Sequence, residues 1–265
     1  MKNIICAFGM LGGLASAQVE VKVAGLKVVG PAYKGEGDEK NNSGLRAFNW
    51  SSGTKVALLL KSAEKSIVLL DKDGSKVSTF GDDKGTDFTK IKSRYSSRSV
   101  SFGFPQESKD GKALMVEVSS DGVPAAGAGY LMLKGELVVS VASASKLTKT
   151  KKLPVKKGTE VTVGEKAFKM SEAGKPKWGD APLAITLEGK VSPKQFKEIK
   201  FFDVKGKEIE ADESSSGSSG MFGKMTYTVT YNLKKKVEKV IVGFDEWTDL
   251  EVIKVPLDHK IGAGL

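Results

Sequence analysis

Five aspartates, Asp71, Asp73, Asp82, Asp83 and Asp87, crowd one stretch of a lysine-rich chain. Carboxylates on neighbouring turns can hold calcium, which takes about six to eight oxygens in flexible geometry. Asp71-Lys72-Asp73-Gly74 begins like an EF-hand loop, but its Gly comes two positions too early and strand patterns flank it. These carboxylates therefore read as solvated turn residues, with calcium as the sharper alternative. Catalysis has few other carriers. The chain holds one His and one Cys, which excludes zinc sites built from those residues and any disulfide within the chain. His259, in Pro256-Leu257-Asp258-His259-Lys260, reads as an exposed strand residue rather than part of a Ser–His–Asp triad. No Ser sits in a G-x-S-x-G elbow, and no Gly-rich phosphate loop opens a helix. No cofactor is expected.

Aromatic residues offer binding chemistry instead. An indole face can pack on the apolar face of a sugar ring. Trp50 and Trp178 each precede an expected strand and read as seals on the end of a domain. Trp247, in Asp245-Glu246-Trp247-Thr248-Asp249, an acidic turn between two late strands, reads either as a ligand contact or as a ring folded back over the hairpin. Met221 and Phe222 end the low-complexity stretch Ser214–Gly223, which reads as a long flexible loop. Two apolar residues in that polar setting either begin the next strand and cover a sandwich edge, or are candidates for insertion into a partner groove or a lipid surface.

Charge is concentrated. Residues 146–157 hold six lysines, Lys146, Lys149, Lys151, Lys152, Lys156 and Lys157, and no acid. Residues 18–145 hold 18 basic and 15 acidic side chains, and residues 158–265 hold 17 of each. The lysine run reads as a solvated, self-repelling linker, or as a contact for an anionic surface such as lipid headgroups or an acidic polysaccharide. Nucleic acid is not the expected partner, because a nucleic-acid face spreads its basic groups over a folded surface with aromatics interleaved.

The elements that must position these residues are strands. Val19, Val21 and Val23 alternate with Glu20 and Lys22, and Tyr227, Val229 and Tyr231 alternate with threonines, the period that puts one face in a core. The best helical turn is Ser192–Phe196, with Ser as cap and Pro at the first position. Ile67, Asp71 and Gly74 match Ile199, Asp203 and Gly206 at one offset of 132. Each set predicts a strand, a D-x-x-G turn and a second strand. Similar strand orders flank both, which points to a duplicated domain.

The first 17 residues read as a secretory signal peptide. Lys2 is the basic start, Ile4–Leu14 the apolar stretch, and Ala15-Ser16-Ala17 the cleavage site. The run is too short for a membrane span, and Cys6 lies too early in it for lipidation. The expected organisation is therefore a signal peptide (1–17), a β-sandwich (18–145), a lysine-rich linker (146–157) and a second β-sandwich (158–265).

This all-β plan resembles exported bacterial proteins of tandem immunoglobulin-like or fibronectin type III-like domains. The resemblance implies a periplasmic or secreted, non-enzymatic interaction module of the cell envelope, binding a polymer or protein partner through loops at the sandwich ends. Two alternatives are a hydrolase acting on a glycan or peptide through loop carboxylates, and a purely architectural spacer.

Overall fold

The computed structural model describes residues 19–31, 45, 52–93, 97–176, 178–221 and 224–263. The described residues form strands, joined by turns and two short 3-10 segments, with no α-helix. The strands are β1 (Val19–Val29), β2 (Gly53–Ser62), β3 (Ser66–Asp82), β4 (Val100–Phe102), β5 (Gln106–Glu107), β6 (Ala113–Ser120), β7 (Tyr130–Ala142), β8 (Ser145–Lys149), β9 (Leu153–Pro154), β10 (Glu160–Val163), β11 (Lys166–Gly174), β12 (Leu183–Gly189), β13 (Phe196–Phe202), β14 (Glu208–Ile209), β15 (Ala211–Met221), β16 (Lys224–Leu233), β17 (Lys239–Trp247) and β18 (Glu251–Gly262). The expected signal peptide, with Cys6, and Trp50 lie outside the described residues.

The chain divides into two compact units. One comprises residues 1–67, 72–137 and 254–265; the other comprises 68–71 and 138–253. In the first unit, the sheet of order β1-β2-β6-β4, with β5 also on β6, is antiparallel throughout. Val56, Leu58 and Leu60 of β2 and Leu114, Val116 and Val118 of β6 alternate inward and are buried. That is the period-two burial a half-solvated sheet requires. The unit also takes its share of the three-stranded sheet β18-β7-β3. Ion pairs Lys134–Asp258 and Lys254–Glu136 tie β7 to β18.

In the second unit two sheets enclose one core. Their orders are β10-β11-β12-β16-β15 and β14-β13-β17-β8, with β9 also on β17. Val161, Met170, Ile185, Leu187 and Val229 from the first sheet meet Ile199, Phe201, Val240, Val242 and Phe244 from the second. Phe168, Phe196 and Phe244 form a ring cluster with centroids 5.1–5.9 Å apart. Gly189 sits beside it because a Cβ there would lie 2.5 Å from the Phe168 ring. The cap expected before Phe196 is present: Ser192 Oγ accepts from Lys194 N–H, with Pro193 opening a 3-10 turn.

Three expectations are corrected. Gly74 makes no turn, because β3 runs unbroken from Ser66 to Asp82. Pairing with β7 overrides the local turn signal there: a Cβ on Gly135 of β7 would lie 2.2 Å from the Lys76 carbonyl of β3. The turn equivalent to Asp203-Val204-Lys205-Gly206 is instead Asp82-Asp83-Lys84-Gly85, at an offset of 121 (203 minus 82). Asp82 Oδ1 accepts from Lys84 and Thr86 N–H at 2.9 and 2.8 Å. Asp203 Oδ1 accepts from Lys205 and Lys207 N–H at 3.0 and 3.1 Å. Gly85 and Gly206 take φ of 93° and 83°, a region open to Gly at no steric cost.

The second correction is the lysine run, expected as a linker. It forms β8 and β9, both paired with β17 inside the second unit. The third is the serine-rich stretch, expected as a loop. It is strand β15, paired with β16 as far as Met221. In both places a neighbouring strand supplies ladder partners, over Ser145–Lys149 and Leu153–Pro154 in the lysine run and over Ala211–Met221 in the serine run, and small or long-stemmed polar side chains are accommodated on a solvated strand.

Candidate functional site

The register of β8 against β17 builds the site. Ser145 faces Trp247, Leu147 faces Asp245 and Lys149 faces Gly243. Phe244 and Val242, one residue out of phase, enter the core. Trp247, Leu147 and Lys149 therefore share the sheet's outer face. On β13, Glu198 faces Asp245, Lys200 faces Gly243 and Phe202 faces Ile241, which places them on that face too. Gly243 is small because a Cβ would lie 2.8 Å from the Phe202 ring and 3.0 Å from Leu147.

Cations cover the rings. Lys149 Nζ lies 3.5 Å from the Phe202 centroid, and Lys197 Nζ lies 5.8 Å from that of Trp247. Both fall within the range of cation–π attraction. Lys200 is different: it bridges Glu198 and Glu208 at 3.2 and 3.5 Å. The Glu198 hydrogen bond holds its pKa above the usual lysine value. Lys146, Lys149, Lys151, Lys152, Lys156 and Lys157 are all exposed, and none is ion-paired to a carboxylate among the described residues.

A cleft of about 390 Å³ opens beside this strand, lined by Thr148, Lys149, Thr150 and Lys151 on one side and Glu160 and Thr162 on the other. Thr150 Oγ1 accepts from Val242 N–H at 3.1 Å and donates to the Lys151 carbonyl at 2.8 Å. That size suits a small ligand or one or two units of a polymer. Its lining can pair with anions and exchange hydrogen bonds with hydroxyls. Thr148, Glu160 and Thr162 were not legible as site residues, since β8 and β10 belong to different sheets and only the packing of those sheets brings them to one cleft.

Trp247 is the last residue of β17, not the tip of a turn. The turn itself is held by Asp249. Its carboxylate accepts from Ser143 Oγ at 2.5 Å, Ala144 N–H at 2.8 Å and Ser143 N–H at 3.0 Å. The Ser143 hydroxyl, followed by these amides, draws the Asp249 pKa down to about 2. Trp178, expected to seal a domain end, is 87% exposed. Met221 closes the β15–β16 ladder against Lys224, and Phe222 lies outside the described residues.

The five aspartates are dispersed over separate tasks. Asp82 is buried; burial raises its pKa, but N–H donors from Ala125, Thr86 and Lys84 outweigh that and hold it below the usual value. Asp83 accepts from Gly129 N–H. Asp87 caps a 3-10 turn through Thr89. Asp73 pairs with Arg98 at 2.9 Å, and Asp71 is an exposed residue of β3. Among the described residues no group of three or more His, Cys, Asp or Glu is arranged to hold a metal ion. His259 on β18 is half-buried rather than exposed, and its buried Nε2 has no hydrogen-bond partner among the described residues.

Comparison with protein-family models, curated proteins and solved structures finds no match for this chain. Among the described residues no helix is long and apolar enough to cross a membrane.

Proposed function

We propose that this chain is an exported, non-enzymatic bacterial envelope protein that binds an anionic polymer through β8, β9 and the cleft beside them. The observation that carries this reading is the set of six exposed lysines, none ion-paired among the described residues. Strand pairing holds Lys146 and Lys149 at set positions on β8, so less side-chain and backbone freedom is lost on binding than from a loose tail. Lys149 and Lys151 also line the cleft, where Thr148 and Thr162 add hydroxyls suited to an acidic polysaccharide.

Export is supported by the order of basic, apolar and small residues over positions 1–17, and it implies a periplasmic or secreted location. The tandem immunoglobulin-like or fibronectin type III-like organisation is supported by the recurring D-x-x-G turn and by the two facing sheets of the second unit.

The test is titration with polygalacturonate and, as a neutral control, dextran. Each lysine near an anionic surface contributes about 1 kcal/mol at low salt. Replacing Lys149 and Lys151 by Ser should therefore weaken polygalacturonate binding roughly 30-fold, and raising salt should weaken it further. Equal binding to dextran, or an unchanged affinity in the double variant, would overturn the proposal.

A further inference from the structure

Strand β15 lies at the end of its sheet and, among the described residues, is paired on one side only, with β16. Every residue from Asp212 to Gly220 is exposed. An open edge presents unpaired N–H and C=O groups to any incoming strand, and proteins commonly blunt such edges with Lys or Pro. β15 contains neither. We infer that its outer edge pairs antiparallel with β15 of a second copy of this chain, about a two-fold axis centred on Gly217.

The sequence around that centre is symmetric. In this register Ser216 faces Ser218 and Ser215 faces Ser219, with Ser214 opposite Gly220. Small side chains offer no steric barrier, and facing serines can hydrogen-bond across the strands. Charge selects the direction. Parallel pairing would set Asp212 and Glu213 beside their own counterparts at about 5 Å. Antiparallel pairing separates each from its counterpart by roughly 30 Å, several Debye lengths in physiological salt. Asp212 is moreover already paired with Lys234 at 2.5 Å, which leaves less acidic attraction for an unrelated basic strand. An edge-to-edge contact is smaller than the roughly 1,000 Å² of a stable interface, so the dimer is concentration-dependent.

Sedimentation of the full chain from about 1 µM to about 1 mM should show a monomer–dimer equilibrium. Ser216→Lys with Ser218→Lys, which sets lysine against lysine across the axis, should weaken it at least ten-fold. In a Cys6→Ser background, Gly217→Cys should cross-link to itself under mild oxidation, because residue 217 faces its own copy at a Cα separation of about 5 Å. The site accepts a Cβ, whose nearest neighbour is Thr228 Oγ1 at 3.5 Å. Ser215→Cys alone should not cross-link, its counterpart lying about 14 Å along the strand. A monomer at every concentration, growth beyond the dimer, or equal cross-linking at both positions would overturn the inference.

Discussion

Asp249 shows how one carboxylate can secure a strand junction. It accepts from Ser143 and Ala144, and Thr248 N–H returns a bond to the Ala144 carbonyl at 3.0 Å. Its folded pKa of about 2 lies below the ordinary 3.8. The ionised form is thus favoured by folding, so its contribution is fully present above pH 3.8 and fades as pH falls through about 2. Asp249→Asn should lower stability at neutral pH, and urea unfolding of the two proteins should converge as pH approaches about 2. A gap that stays constant down to that pH would show that the carboxylate's charge is irrelevant. Gly206 makes a second residue-scale case. Its positive φ is costly for any residue with a Cβ, so Gly206→Ala should destabilise by about 1 kcal/mol in chemical denaturation.

At the scale of elements, β17 joins the core to the candidate surface. Phe244 packs inward against Phe168 and Phe196, while Trp247 and Gly243 face outward with β8. Phe244→Ala should cost about 3–5 kcal/mol, since it opens a cavity and removes two ring pairs. Trp247→Ala, at the half-buried outer end of the same strand, should cost less, about 1 kcal/mol of unfolding free energy. Intrinsic fluorescence would report the second change and thermal unfolding the first. β17 was legible as one of the two late strands beside Trp247. Its partnership with β8 was not, because six lysines and no acid resemble a solvated linker until a neighbouring ladder is available to pair with them. The D-x-x-G motif shows the same limit: it folds as a turn at Asp203 and at Asp82, but Asp71-Lys72-Asp73-Gly74 stays extended within β3.

For the whole molecule, chain order and unit membership differ. Residues 254–265 belong to the unit that holds β1 and β2, and Val255, Leu257 and Ile261 are buried. Deleting Lys254–Leu265 should therefore destabilise the first unit, far away in sequence. Hydrogen exchange should show lost protection in β7 residues 130–137 and retained protection in β11, β12 and β16; loss confined to the second unit would contradict this. Sequence by itself determined the all-β class, most strand positions, the lysine concentration and the capped turn at Ser192. Each of these follows from a period of two, a local composition or a short-range cap. Tertiary structure alone decided which D-x-x-G bends, that the lysine and serine runs are strands, and which carboxylates are spent on backbone amides. Those outcomes depend on hydrogen bonds between residues distant in the chain, which local propensity does not encode.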